Sequence, residues 1–415
     1  MEPWKESDRN GVRLVLREML SDIKASDTGK TYRSLDKYST CLSILLDKVR
    51  FSETERKNLE FHERSRLLNE ALQMEIKNGK EVTPDSVIKQ YNALSKKYLK
   101  KDQVRYTLHG TFSVRSRIPI PSVRFAGAYI SFSDITPKKL TLPEQMSLEL
   151  TRYTDAYPRE YVHVCVSVSA RDPYSGFTKA YRIGNLYRGL WNLILNYRTS
   201  FFSFGSKQPV NKVVWGPVHT VHYSSGKPVS DSFGREGTWN KNILANDITQ
   251  DLKALKQEEK RIRSSLAKCS YAREIESMIQ QYALSLDEPY KAHAFRELWT
   301  VLESLTGSRG LKQSELVKRA SFFRRNRGFC KLELEALKNI RNTIVHEGTY
   351  ADDFEHYVNR LRTYVEHLLY ALINHNSLFR DINDFRSFLS LTHDVDQLEE
   401  RRNHIQFAMD LLKNG

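Results

Sequence analysis

Arg341, Asn342 and His346 are the residues of this chain whose types and spacing best suit chemistry. An imidazole with an unperturbed pKa near ~6.5 can take or deliver a proton at neutral pH. A guanidinium brings a permanent charge and a planar fork that matches a pair of phosphate oxygens. An amide beside them can position a water or a ribose hydroxyl. Such a trio suits phosphodiester cleavage. A structural reading competes with that one, because an Arg and a His near a helix C-terminus interact well with the dipole there and need do nothing else.

The element that must hold the trio is a helix. Leu337, Ile340 and Ile344 recur at helical spacing, and Gly348 is placed to end the helix in a left-handed cap. Asn342 and His346 are four apart and share one face. Arg341 points roughly 140° away from His346 at 3.6 residues per turn, a gap that a long side chain at the helix edge can close.

Neighbouring elements frame this helix. After Pro289, a predicted helix carries Phe295, Leu298, Trp299, Leu302 and Leu305 on one stripe. Glu303 stands at the border of that stripe, about 80° from Phe295, where it either holds Arg341 or faces solvent. A third helix starts near Asp352, its N-cap or first turn, and carries Phe354, Tyr357, Val358, Leu361, Val365, Leu368 and Leu372. One such helix cannot bury itself, so a bundle is implied. Between the first helix and the motif, the residues from Lys318 to Lys331 hold six cations and no acid: Lys318, Arg319, Arg324, Arg325, Arg327 and Lys331. Phe322, Phe323 and Phe329 are interleaved with them. That mixture suits single-stranded RNA, with Arg on phosphate and rings on bases. A solvated loop whose Phe residues plug the bundle explains it equally well.

Arg341-Asn342-Thr343-Ile344-Val345-His346 resembles the Arg-x4-6-His signature of the HEPN superfamily, including its common polar residue directly after the Arg. The helix from His293 to Gly307 resembles the first helix of the Apea-like HEPN group, and the helix from Asp352 fits the same bundle. The run from Ala170 to Ser175 is similar to the middle region of bacterial HEPN-linked defence proteins. The resemblance covers Tyr290 to His375. It implies a symmetric homodimer or higher homo-oligomer in which two copies of Arg341, Asn342 and His346 face one another and cut RNA. It also implies a role in bacterial anti-phage defence by abortive infection, with a phage-derived activator among the expected partners.

Composition sets the wider frame. An excess of 65 Lys and Arg over 50 Asp and Glu gives a formal charge of +15, which favours a polyanionic partner, nucleic acid first. Cys41, Cys165, Cys269 and Cys330 are far apart and include no Cys-x-x-Cys pair, so they read as reduced thiols of a cytoplasmic protein. The start, Met1 to Asp8, lacks the apolar core of a signal peptide, and no apolar run is long enough to span a bilayer. No membrane partner is expected.

Taken in order, 1–103 reads as helical and charged, with Asp85 as an N-cap. Gly29-Lys30-Thr31 lacks both the earlier Gly and the strand that a phosphate-binding loop needs. An α+β domain follows over 104–235. Its strands begin with the pair Val104 to Val114 and Ser122 to Phe132, then Tyr161 to Ser169 with Val162, Val164, Val166 and Val168 on one face. A buried helix through Leu186 and Leu190 and further strands over Asn211 to Tyr223 complete it. His219 and His222, three apart on a strand, point to opposite faces and cannot share a metal ion. Ser230 to Gly237 reads as a linker. From Asn240 the chain reads as helical, with Lys256 to Arg263 as a solvated charged face or a dimer contact. The HEPN-like bundle spans 236–376, and 377–415 is a helical tail.

The fold expected is therefore α+β and mainly α: a helical N-terminal region, a mixed sensing or regulatory domain, and a C-terminal HEPN-like bundle. The activity expected is that of a metal-independent, cofactor-free endoribonuclease. The alternative is a catalytically silent HEPN bundle that binds RNA or a partner protein.

Overall fold

The computed structural model describes residues 9–21, 24–25, 31–32, 35–78, 81–146, 160–197, 209–308, 313–347 and 354–414. The chain forms two compact units, Met1–Val104 with Ala170–Ser175, and Arg105–Ser169 with Gly176–Gly415. The first unit thus ends where the alternating pattern begins. The boundaries expected near 235 and 376 both fall inside the second unit.

In the first unit, helices α1 (Arg9–Ser21), α2 (Leu35–Lys48), α3 (Glu53–Asn58), α4 (Phe61–Lys77) and α5 (Pro84–Leu99) surround Leu45, Leu68, Leu72, Val87 and Tyr91. A short antiparallel pair, β1 (Lys24–Ala25) and β2 (Thr31–Tyr32), follows α1. The N-cap of α5 is Thr83 rather than Asp85: the Thr83 hydroxyl accepts from the Ser86 N–H at 3.1 Å. Pro84 fits the first helical position because no N–H is needed there. The segment Ala170–Ser175 joins this unit through Asp172, which accepts from Tyr98 Oη at 2.5 Å and from Arg66 at 2.8 Å.

The second unit is α+β and mainly helical. Its sheet contains β3 (Val104–Phe112), β5 (Val123–Phe125), β6 (Ala128–Ser133), β7 (Val162–Ala170), β8 (Val218–Tyr223) and β9 (Gly234–Arg235), in the order β5-β6-β7-β3-β8-β9. A separate parallel bridge joins β4 (Val114–Arg115) to β10 (Asn246–Asp247). Val162, Val164, Val166 and Val168 are buried together, as their alternation requires. With Phe112 and Ile130 they belong to the same core as Tyr187, Leu190 and Trp191 of helix α6 (Pro173–Tyr197).

Ser122 to Phe132 is not one strand but the hairpin β5–β6, turning at Ala126 and Gly127, whose φ angles are +48° and +77°. On its other edge β6 pairs with β7, which separates it from β3. Ser230 to Gly237 is not a free linker, because β9 extends the sheet through β8. The chain is not helical from Asn240: α7 (Leu252–Leu266) starts twelve residues later, after β10. Nor is the charge run on α7 simply solvated. Glu259 is fully buried and accepts from Tyr187 Oη (2.7 Å), Lys256 Nζ (2.6 Å) and Arg263 Nε (2.8 Å). Cations from the same helix can fold over one carboxylate because i,i+3 and i,i+4 residues are neighbours.

Gly184, in the middle of α6, would ordinarily be a weakness of about 1 kcal/mol against Ala. Here an added Cβ would collide with the ring of Trp215, which is buried and held by donation from Nε1 to Asn185 Oδ1 at 2.8 Å. Gly184→Ala should therefore destabilise the protein by about 1–3 kcal/mol in urea denaturation. A gain in stability would mean that the Trp215 ring slides freely.

The remaining helices are α8 (Ala272–Asp287), α9 (Lys291–Thr306), α10 (Gln313–Ala320), α11 (Arg327–Glu347), α12 (Phe354–His375), α13 (Ile382–Leu389) and α14 (Val395–Asn414). The most extensive packing in the bundle is α9 along α12 and α9 along α8. Its apolar residues belong to the same core as the sheet, so no separate bundle domain begins at 236. Phe385 and Leu389 of α13 join that core, whereas the described side chains of α14 are exposed apart from half-buried Leu398.

Candidate functional site

The motif helix α11 begins ten residues before Leu337. Cys330, Leu334 and Leu337 are buried at 3- and 4-residue spacing, and Ile340 and Ile344 continue the stripe half-buried. On another face Glu333 takes a hydrogen bond from Tyr364 Oη at 2.5 Å and an ion pair from Arg360, both on α12. Six residues link α11 to α12, so the two helices form a hairpin clamped at Glu333.

At the far end of α11, Arg341 and Asn342 are both half-buried, and Arg341 Nη1 donates to Asn342 Oδ1 at 3.4 Å. Among the described residues no carboxylate pairs with Arg341. His346 lies in the same helix, one turn beyond Asn342, while its side chain, the cap at Gly348 and the N-cap at Asp352 lie outside the described residues. Glu303 is not paired with Arg341. It accepts from Trp299 Nε1 at 3.0 Å within α9, as the i,i+4 spacing allows.

The basic stretch divides into bound and free cations. Lys318 donates to Ser390 O at 2.7 Å, and Arg319 donates to Thr306 O at 2.6 Å while pairing with Glu315. Arg324 contacts His367 at 3.1 Å and lies over the Tyr364 ring, and Arg327 donates to His393 O at 3.1 Å. These four cations hold the bundle together. Phe322 and Phe323 likewise pack against Phe388, with His393 and Phe385 alongside. The plug reading therefore describes those two rings. Arg325, Phe329 and Lys331 remain exposed.

A second polar assembly lies on the sheet. Alternation and register place Thr107 and His109 of β3, His163 and Ser167 of β7, and Thr220 and His222 of β8 on the sheet face opposite the valines. His109 Nε2 lies 3.0 Å from His163 Nδ1, and the two rings stack. Thr220 Oγ1 is 2.8 Å from His222 Nε2 and 3.4 Å from His109 Nδ1. Burial, with the neighbouring imidazoles, pushes the His109 pKa down to about 3, and burial lowers His163 and His222 as well. His219 is on the other face, as its spacing from His222 requires, 3.2 Å from Glu236. Among the described residues no group of three or more His, Cys, Asp or Glu is placed to hold a metal ion.

A third polar chain runs through the bundle. Arg188 pairs with Asp287, which accepts from Asn211 Nδ2 at 2.7 Å. Asn196 donates to Asn211 Oδ1 (3.2 Å) and Tyr282 Oη (3.0 Å), and Tyr282 donates to Glu366 at 2.5 Å. Burial raises the Glu366 pKa to about 7, opposed by Arg362. No sequence spacing signals either network, since each joins residues from separate elements.

No family model, curated protein or solved structure matches the chain. No helix of the described residues is long and apolar enough to cross a membrane.

Proposed function

We propose that this protein is a metal-independent endoribonuclease of the HEPN type, working as a homodimer or higher homo-oligomer. The observation that carries the proposal is the meeting of Arg341 and Asn342 on a clamped helix, one turn before His346. With no carboxylate partner among the described residues, Arg341 has charged donors to offer a phosphate. In the proposed reaction the ribose 2′-hydroxyl attacks the adjacent phosphorus, forming the P–O2′ bond and breaking P–O5′. One His346 takes the 2′-hydroxyl proton, and the His346 of a second copy delivers a proton to the leaving 5′-oxygen. Arg341 stabilises the charge on the phosphoryl oxygens, and Asn342 orients the attacking hydroxyl. Exposed Arg325, Phe329 and Lys331 supply the first contacts to the RNA strand. The setting proposed is cytoplasmic anti-phage defence, in which an infection-derived activator releases cleavage of host RNA.

His346→Ala and Arg341→Ala should each slow RNA cleavage by roughly a hundredfold to ten-thousandfold, as loss of a proton-transfer or charge-stabilising group does. Their melting temperatures should match wild type. RNA binding without cleavage by the wild type, in infected lysate as well as buffer, would favour the catalytically silent binding module instead.

A further inference from the structure

The hairpin end of the sheet carries a cavity of about 850 Å³, lined by Arg105, Arg124, Tyr129, Ser167 and Ser169 together with the backbone of the turn. Register places Tyr129 opposite both Arg124 and Ser167. The Arg105 guanidinium lies 6.0 Å from the centroid of the Tyr129 ring, whose residue is 40% exposed. Neither Arg105 nor Arg124 has a carboxylate partner among the described residues, and no carboxylate lines the cavity. By contrast, Arg115 at the start of another opening is paired with Glu160 and Asp247. The cavity is bounded by Ala126, whose φ of +48° is a conformation that a residue with a Cβ rarely adopts. Such strain is tolerated where the surroundings fix the turn, often beside a ligand site.

We infer that the tip of the sheet binds a nucleotide, with its phosphate between Arg105 and Arg124 and its base against Tyr129. Two guanidiniums without carboxylates present forked donors to phosphate oxygens. An exposed ring beside them supplies a stacking face that accepts any base. The volume falls within the range that holds a ligand of this size. Ser167 is already bonded to Thr107 at 2.8 Å, so it shapes the wall while its hydroxyl stays engaged. This site is independent of Arg341 and His346, and would give the sheet part of the chain a small-molecule input.

The test is isothermal titration of the full chain with AMP, GMP, CMP and UMP, using adenosine and inorganic phosphate as half-ligands. Saturable one-to-one binding of a nucleotide, tighter than either half-ligand, is expected. Arg105→Gln combined with Arg124→Gln should weaken it at least about tenfold. Tyr129→Ala should weaken the nucleotide by about tenfold and leave phosphate unchanged. His346→Ala should bind as wild type does, so failure here and failure of the nuclease reading remain distinguishable. The three substituted side chains, Arg105, Arg124 and Tyr129, are exposed, and circular dichroism of each variant should match wild type. Absence of nucleotide binding, phosphate held as tightly as nucleotide, or affinity unchanged in the arginine variant would each overturn the inference.

Discussion

Asp287→Ala should destabilise the protein by about 3–5 kcal/mol, because it leaves a buried guanidinium without its counter-charge. Arg188 and Asp287 are 1% and 5% exposed, and Arg188 uses both terminal nitrogens on the one carboxylate. Burial alone pushes the Asp287 carboxyl up, and Arg188 and Asn211 oppose that shift. Arg188 also donates to Asn185 Oδ1 at 2.8 Å. The loss would spread, since Asn211 joins Asp287 to Asn196 and Tyr282. Arg188→Ala should cost a similar amount by leaving the carboxylate buried. The double variant should cost clearly less than the sum of the two, which a double-mutant cycle in guanidinium or urea would measure. Simple additivity would mean that water reaches the pair. The consequence for function is indirect: Asp287 is the last residue of α8, and α8 packs on α9 in the bundle that carries the motif helix.

Acidification from pH 8 to pH 5 should cost about 2 kcal/mol of stability through His109 alone. Its folded pKa of about 3 lies below the unfolded value of 6.5, so the unfolded chain binds the proton more readily. The stabilisation is complete above pH 6.5 and is lost as pH falls toward 3. His163 and His222 act in the same direction, because burial lowers both. Glu366 acts against them. Its folded pKa of about 7 exceeds the unfolded 4.5, so its contribution is complete below pH 4.5 and lost as pH rises through 7. The raw pH profile therefore mixes opposed terms. The readout is the difference between wild type and His109→Gln, a side chain that keeps a polar contact but does not titrate. The substitution should shrink the acid loss by about 2 kcal/mol at pH 5. Parallel curves for the two proteins would mean that His109 is hydrated in the native state.

Much of this architecture is readable in the residues themselves. The valines of β7 and the stripe from Phe354 to Leu372 are set by period alone, and both are buried as that period requires, with Tyr357 half-buried. Other features depend on distant partners. Nothing local distinguishes Glu259 from Glu258 beside it, because its burial is created by Tyr187 and Trp191 of another helix. Phe322 and Phe323 are indistinguishable by type from Phe329, yet only the first two meet Phe388. The turn at Ala126 and Gly127 lacks the usual Asn-Gly or Asp-Gly signal, so one strand stands where two form. In the candidate site, spacing places Asn342 and His346 on one face of α11, but it could not reveal that Glu303 is engaged by Trp299.

The most direct measurement incubates labelled single-stranded RNA and DNA of the same sequence with wild type, Arg341→Ala and His346→Ala, with EDTA present and with phage-infected lysate as the source of activator. Wild type alone should cut, only RNA should be cut, and the new ends should carry 2′,3′-cyclic phosphate. Cleavage of DNA, a requirement for divalent metal, or equal cleavage by either variant would contradict the proposed reaction.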